Sequence, residues 1–154
     1  MVIRLEDISA VLARCFGPDI DPDRQTAAAA AQVLRGWIPR QHPLEELSSR
    51  LQDALYGGLR ARLGESMLIC EGRNWRRIRT RDLEAAADAL TGLLFDALSD
   101  TEANYELVRG WAFSAGSLAA LDCLTRRFAA WQGPGDQALY RQFLDNRRRE
   151  ENLR

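Results

Sequence analysis

The stretch HPLEELSSRLQDALYGGLRARL, residues 42–63, repeats a leucine at every third or fourth position. These leucines are Leu44, Leu47, Leu51, Leu55, Leu59 and Leu63. That spacing places all of them on one side of an α-helix, and Glu46 and Arg50 can pair one turn apart on its polar side. Gly57 and Gly58 interrupt the pattern, so we expect a kink, a break into two shorter helices, or a close contact with another helix.

The same helical period recurs on both sides of this stretch. Apolar stripes occupy residues 3–16, 21–38, 80–97, 100–131 and 136–146, and small residues at 114–117 can divide the fourth of these segments. The predicted N-caps are Asp21, Thr80, Ser99 and Asp136. The last stripe is predicted to bury Leu139, Tyr140, Phe143 and Leu144. We therefore predict one all-α domain over residues 1–154, a bundle of six to seven helices with a frayed end at about 147–154.

Residues 66–80 lose the helical period. The apolar run SMLIC (66–70) and the run WRRIRT (75–80) flank EGRN (71–74), which is typical of a turn. We predict a short β-hairpin or an irregular connection at about 66–80. In an extended chain, successive side chains point to opposite faces. One face would then carry Trp75, Arg77, Arg79 and Arg81, and the other Arg76 and Ile78.

The composition is typical of a soluble globular protein, with 46% apolar and 28% charged residues. A net charge of -1 creates no global field that would attract nucleic acid, so any attraction for anions must be local. No segment approaches the ~20 apolar residues of a membrane span, and the first residues carry acids where a secretory leader carries bases. We expect a cytoplasmic protein without a membrane partner.

The cysteines and the single histidine do not form a recognisable site. Cys15, Cys70 and Cys123 are odd in number, far apart and without a CxxC pair, so we predict neither a disulfide framework nor a zinc site. We interpret all three as small core hydrophobes, which suits a reducing compartment. His42 precedes Pro43 and is interpreted as part of a helix entry. No metal or cofactor is predicted.

The motifs of common enzyme classes are missing. GGLRARLGES, residues 57–66, lacks the GxxxxGK[ST] spacing of a phosphate loop, and no serine lies in GxSxG. The acidic run at 19–23 does not continue as an EF-hand, because Arg24 and Ala30 stand where glycine and glutamate are required. We therefore expect a non-enzymatic protein. An enzyme with an unfamiliar acid–base pair in a helical cavity is a further alternative, for which no residues can be nominated.

All 21 basic residues are arginines. GC-rich codon usage is sufficient to explain the absence of lysine, but it does not explain the local density around Trp75. Five arginines lie within nine residues there: Arg73, Arg76, Arg77, Arg79 and Arg81. A planar guanidinium grips carboxylate or phosphate with paired hydrogen bonds and stacks on aromatic rings. This Arg–Trp segment, residues 73–81, is the predicted partner-binding site.

Three interpretations of the Arg–Trp segment stay open. Trp75 and Ile78 can simply pin a connection to the helices, with the arginines paired to carboxylates or in water. Alternatively, the arginines receive an acidic helix of a protein partner, or they clamp phosphates while the indole stacks on a base. We predict a helical protein that binds another protein as an adaptor, inhibitor or regulatory subunit. A nucleic-acid-binding regulator that uses residues 73–81 is the alternative.

Two further expectations concern the burial of the tryptophans and the formation of a homodimer. Trp37, Trp111 and Trp131 lie on apolar stripes and are predicted to be core residues, whereas Trp75 is predicted at an interface. The third, fourth and sixth helices offer more apolar surface than one small core needs, so we also consider a homodimer.

Overall fold

The computed structural model describes residues 3–21, 23–37, 41–97, 102–114, 117–128 and 134–152. Seven α-helices and one two-stranded antiparallel hairpin lie within these residues. The helices are α1 (Leu5–Phe16), α2 (Gln25–Arg35), α3 (Leu44–Leu63), α4 (Thr80–Ala97), α5 (Glu102–Ser114), α6 (Leu118–Arg127) and α7 (Pro134–Asn152). Strands β1 (Leu68–Glu71) and β2 (Asn74–Arg77) form the hairpin between α3 and α4. The predicted all-α class with a short hairpin is confirmed.

The contacts divide the chain into two compact units, Met1–Leu94 and Phe95–Arg154, with the boundary inside α4. In the first unit α2 packs against both α1 and α3, and the hairpin follows α3. In the second unit α6 packs against both α5 and α7. The single-domain organisation stays a prediction. No helix in the described ranges is both long and apolar enough to cross a membrane.

The leucine stripe of α3 forms the centre of the first unit. The leucines from Leu44 to Leu59 are buried, and Leu63 is half-buried at the end of the helix. The helix continues through both glycines, so the expected break does not occur. A Cβ atom on Gly58 would lie 2.5 Å from Thr26 Oγ1 of α2. Of the alternatives expected for the two glycines, the structure therefore confirms a close contact between helices, and this contact is at Gly58.

The start of α2 differs from the prediction. The helix begins at Gln25, and Arg24 precedes it in the left-handed conformation with φ of 58°. An arginine side chain has no acceptor with which to cap a helix. Asp21 supplies one from upstream, because its carboxylate accepts the N–H groups of Thr26 and Ala27 at 3.1 and 2.9 Å. Asp21 is thus the capping residue, although it is not the residue next to the helix.

The other predicted caps have mixed outcomes. Thr80 is the first residue of α4 instead of its cap. Helix α7 begins at Pro134, where a missing N–H costs nothing, so Asp136 lies inside its first turn. Ser99 lies outside the described residues. Ser117 caps α6, since its hydroxyl accepts the N–H of Ala120 at 3.1 Å.

Helix α7 buries only part of its predicted stripe. Tyr140 and Leu144 are buried, but Leu139 and Phe143 are 40% and 42% exposed. The expectation that all four are core residues is therefore wrong for Leu139 and Phe143, which lie one position to the side of the buried face. Phe143 instead meets Phe113 of α5 edge-on at 5.3 Å.

The predictions for the tryptophans and cysteines are also confirmed only in part. Trp37 is buried, Trp111 is half-buried against Phe95, and Trp131 lies outside the described residues. Cys123 is buried, and burial raises the pKa of its thiol to about 12. Cys70 is exposed, so the interpretation of all three thiols as core residues is wrong there. Its side chain lies on the outward face of β1.

Candidate functional site

A tight turn places the Arg–Trp segment at the tip of the first unit's hairpin. The two strands are joined by Gly72 and Arg73, and Gly72 has φ of 65°. Glycine adopts this left-handed conformation without steric cost, which permits a two-residue hairpin loop. The paired residues are Leu68 with Arg77, Ile69 with Arg76, Cys70 with Trp75, and Glu71 with Asn74.

The hairpin has one anchored face and one outward face. Met67, Ile69 and Ile78 are buried and anchor the inward face. On the outward face, Trp75 is 69% exposed and Leu68 is 39% exposed. Cys70 and Arg77 are also exposed on that face. The predicted alternation of Trp75 and Arg77 against Arg76 and Ile78 therefore holds through β2 and the residue after it.

The alternation does not extend to the last two arginines of the segment. Strand β2 ends at Arg77, and α4 begins at Thr80. Arg79 is the residue before α4, and Arg81 lies in its first turn. Helical geometry, and not the strand period, therefore determines where these two side chains lie.

Arg76 is neutralised inside the hairpin. Its Nε lies 2.6 Å from Glu71 Oε2, and its Nη1 lies 2.7 Å from Asp82 Oδ2. Hydrogen bonds to Asp82 and Glu71 raise the pKa of Arg76, so the guanidinium is charged at every physiological pH. Because Asp82 belongs to α4, Arg76 ties β2 to the start of that helix. We assign Arg76 a positioning role.

Asp82 is the residue of α4 to which Arg76 ties β2. Its Oδ2 also accepts the backbone N–H of Arg79 at 2.7 Å, which satisfies a donor at the open end of α4. Partial burial alone would raise the pKa of the Asp82 carboxyl. The hydrogen bonds from the Arg79 backbone and from Arg76 lower this pKa, and together the lowering effects exceed that of burial. The net effect is a pKa below the ordinary value of 3.8. Asp82 is therefore ionised at neutral pH and fixes the hairpin on α4.

The other four arginines of the segment face solvent. Arg73 lies in the turn, Arg77 on the outward face of β2, and Arg79 and Arg81 at the start of α4; all four are exposed. Arg79 Nε lies 3.9 Å from Asp82 Oδ2, a long contact to a carboxylate that Arg76 already binds. Within the described ranges, Arg73, Arg77 and Arg81 have no ion pair. We call Leu68, Arg73, Trp75, Arg77, Arg79 and Arg81 the hairpin surface.

The hairpin surface is suited to recognition. It combines an exposed indole and a leucine with four guanidinium groups, on a scaffold that Arg76 and Asp82 hold in place. Trp and Arg are the residues that dominate binding energy at protein interfaces. An anionic partner with an apolar side chain would match both components.

A concave surface lies between α2 and α3. A shallow polar depression there is lined by Asp21, Asp23, Gln25, Gly58, Ala61 and Arg62. Asp21 is already used to cap α2. Among the side chains that are described, no three His, Cys, Asp or Glu residues are grouped in a way that could hold a metal ion.

Sequence reasoning missed three residues of the hairpin surface and its support. Leu68 joins Trp75 on the outward face, and Glu71 and Asp82 neutralise Arg76. The pairing of Leu68 with Arg77 follows once the turn is placed at residues 72–73. Asp82 stands three residues after Arg79, a spacing that signals a carboxylate reaching back to a helix start.

No family model, curated protein or solved structure matches this chain.

Proposed function

We propose that this protein acts by binding another protein through the hairpin surface, as an adaptor, inhibitor or regulatory subunit. The observation that supports the proposal is the exposure of Trp75 on a face that also carries Arg77. Leaving a large aromatic side chain in water forgoes about 1.5–3 kcal/mol of burial energy, and a partner that covers it would recover part of this. The surface is held in place before binding, because Arg76 and Asp82 join the hairpin to α4.

A protein partner fits these side chains better than nucleic acid does. Two carboxylates, Glu71 and Asp82, lie on either side of the Arg–Trp segment and offset part of its positive charge. Leu68 adds apolar area, on the same face as Trp75, that a phosphate backbone would not use. The net charge of the chain is -1, which gives no general attraction for polyanions.

Affinity capture from the native cell tests the proposal. The baits are the wild type, Trp75→Ala, and Arg77→Glu combined with Arg81→Glu. Neither arginine has an ion pair in the described part of the chain, so the reversal breaks no ion pair there. A matched control, Arg141→Glu combined with Arg149→Glu, reverses two exposed charges on α7. Far-UV circular dichroism checks that every bait is folded.

The proposal predicts that the wild type and the α7 control capture the same proteins and that both hairpin variants lose them. Identical recovery by all four baits would contradict it. Recovery of nucleic acid, with an affinity whose log–log salt slope drops by about one unit per arginine removed, would support the nucleic-acid alternative instead.

Two further expectations, a cytoplasmic location and a homodimer, belong to the same proposal. A cytoplasmic location suits a chain whose three cysteines are free. The homodimer has less support, because the leucine stripes of α3, α4 and α6 are buried within the chain itself. Light scattering over a range of concentrations decides between monomer and dimer.

A further inference from the structure

The hydrogen-bonding pattern of the hairpin defines which backbone groups are free. The N–H of Ile78 donates to the C=O of Met67 at 2.8 Å, which extends the register of the two strands by one pair. In an antiparallel ladder, hydrogen-bonded and non-hydrogen-bonded pairs alternate. Counting from this bond, the pairs Leu68–Arg77 and Cys70–Trp75 are non-hydrogen-bonded. Their N–H and C=O groups point away from the neighbouring strand.

The outer edge of β2 therefore presents a short row of backbone donors and acceptors. It consists of the N–H and C=O of Trp75 and the N–H of Arg77, and no other backbone group in the described ranges bonds to them. The C=O of Arg77 accepts only a long contact of 3.4 Å from Arg76 Nη1. An unpaired strand edge of this kind is a template for pairing with another extended chain.

The free edge and the exposed side chains belong to the same two residues. Trp75 and Arg77 direct their backbone groups outward along the sheet and their side chains onto the outward face. A strand added beside β2 would place alternate side chains next to the indole and next to the guanidinium. An apolar residue suits the first position, and an acidic residue suits the second.

The charges indicate the edge of β2 instead of the edge of β1. Arg73 precedes β2, and Arg79 and Arg81 follow it, so cations lie at both ends of this edge. The outward residues of β1 are Leu68 and Cys70, neither of which is a basic residue. A strand paired with β1 would be separated from β2 by two strand spacings, which is about 10 Å.

We propose that the partner contributes an extended segment with an apolar residue and an acidic residue two positions apart, on the same strand face, and that this segment pairs with the outer edge of β2 as a third strand. This inference rests on the proposed function and specifies the kind of protein segment that is bound. A helical segment has its backbone groups satisfied internally and would leave the edge unpaired.

Three peptide probes test the inference on the full chain. In the first, acidic residues and valines alternate along one strand face, and threonine occupies the intervening positions. The second carries the same number of acidic residues at helical spacing in an alanine-rich sequence. Binding is measured by fluorescence anisotropy, and the exchange of the Trp75 and Arg77 amide protons is followed by NMR. A third probe, the first peptide N-methylated at the positions that face β2, keeps every side chain but cannot pair.

The inference predicts that the alternating peptide binds more tightly than the helical one and slows exchange at both amides. N-methylation should weaken binding about tenfold to thirtyfold, the effect of losing one or two hydrogen bonds. Arg77→Glu should weaken binding of the acidic peptide and strengthen binding of a peptide in which arginine replaces the acidic residues.

The outcomes separate this inference from the proposed function. Tighter binding of the helical peptide, with unchanged exchange at Trp75 and Arg77, would overturn the third strand and leave protein binding through the hairpin surface intact. Failure of both peptides, together with identical capture by the hairpin variants and the wild type, would overturn both proposals. Preferential binding of a single-stranded oligonucleotide over either peptide would also overturn both.

Discussion

The carboxylate of Asp82 accepts hydrogen bonds from the guanidinium of Arg76 and from the backbone N–H of Arg79. One side chain thus joins β2 to α4 and satisfies a donor at the start of the helix. Arg76 and Arg77 are neighbours in sequence with opposite environments, because alternate residues of a strand face opposite sides. The first is bound by two carboxylates, and the second is free to meet a partner.

We predict that Asp82→Ala destabilises the protein by about 1–3 kcal/mol. The substitution removes a helix-capping contact and a charge-assisted hydrogen bond at a side chain that is mostly buried. Urea denaturation followed by far-UV circular dichroism measures the loss. Glu84→Ala, which removes an exposed carboxylate from the same helix, is the control and should change little. Equal effects of the two substitutions would contradict the role of Asp82.

The stabilisation by Asp82 should depend on pH. Because the folded-state pKa is lower than the unfolded one, its contribution is complete above the ordinary value of 3.8 and is lost as the pH falls through the lowered pKa. The difference in unfolding free energy between the wild type and Asp82→Asn should therefore be constant near neutrality and shrink in acid. A difference that grows on acidification would refute this.

The cysteines should differ in reactivity. Burial raises the pKa of Cys123 from 9.0 to about 12, which lowers its thiolate fraction by roughly three orders of magnitude, whereas Cys70 is exposed. We expect iodoacetamide to modify Cys70 in the folded protein and Cys123 only after unfolding. Peptide mass spectrometry over time checks the order. Modification of both at the same rate would show that Cys123 is accessible.

At the level of elements, the packing of α2 on α3 depends on one glycine. A Cβ atom on Gly58 would lie 2.5 Å from Thr26 Oγ1 and 3.0 Å from Thr26 Cβ. Rotating the threonine side chain does not move its Cβ, so the two helices would have to separate. The adjacent Gly57 has nothing within 4 Å of an added Cβ.

These two glycines provide a matched pair of substitutions. Gly58→Ala should destabilise the protein by about 1–3 kcal/mol, because the strain of overpacking exceeds the gain in helix propensity. Gly57→Ala should stabilise it by up to about 1 kcal/mol, since only the propensity changes. Thermal unfolding of both variants measures the signs. The same sign for both would show that α2 does not approach α3 closely at Gly58.

The hairpin illustrates how an element acquires its orientation. Its strands and turn are local in sequence, but two strands alone are only marginally stable in water. Met67, Ile69 and Ile78 bury the inward face, and the Arg76–Asp82 pair adds a fixed point on α4. These contacts determine that the face with Trp75 is the one exposed to solvent.

At the level of the whole molecule, charge is nearly balanced but unevenly distributed. The chain has 21 arginines against 22 acidic residues, yet the four exposed arginines of the hairpin surface lie within nine residues of the sequence. Electrostatic steering of a partner should therefore depend on where charges lie and not on their total. Salt screens such steering beyond about 10 Å at moderate ionic strength.

We predict that Arg77→Glu with Arg81→Glu slows association with an acidic peptide by up to about tenfold at low salt. The same change in net charge on α7, Arg141→Glu with Arg149→Glu, should alter the rate little. Stopped-flow fluorescence at several salt concentrations measures both, and the difference should shrink as salt increases. Equal slowing by the two variants would mean that total charge controls association.

Much of the architecture follows from sequence alone, because the signals are local. The leucine period of α3, the five alanines of α2 and the change of period at residues 66–80 each predict an element from a few neighbouring residues. The exposure of Trp75 also follows, since it is surrounded by charge. The regularity of helix and strand geometry makes these inferences possible.

Other features were decided only by tertiary contacts. Three features depend on residues that belong to other elements. They are the ion pairs of Arg76, the exposure of Leu139 and Phe143, and the need for a residue without a Cβ atom at Gly58. A sequence period identifies which side chains share a face, but it does not specify which part of that face a neighbouring element covers. Burial and pairing are properties of two surfaces in contact, and only the folded chain brings those surfaces together.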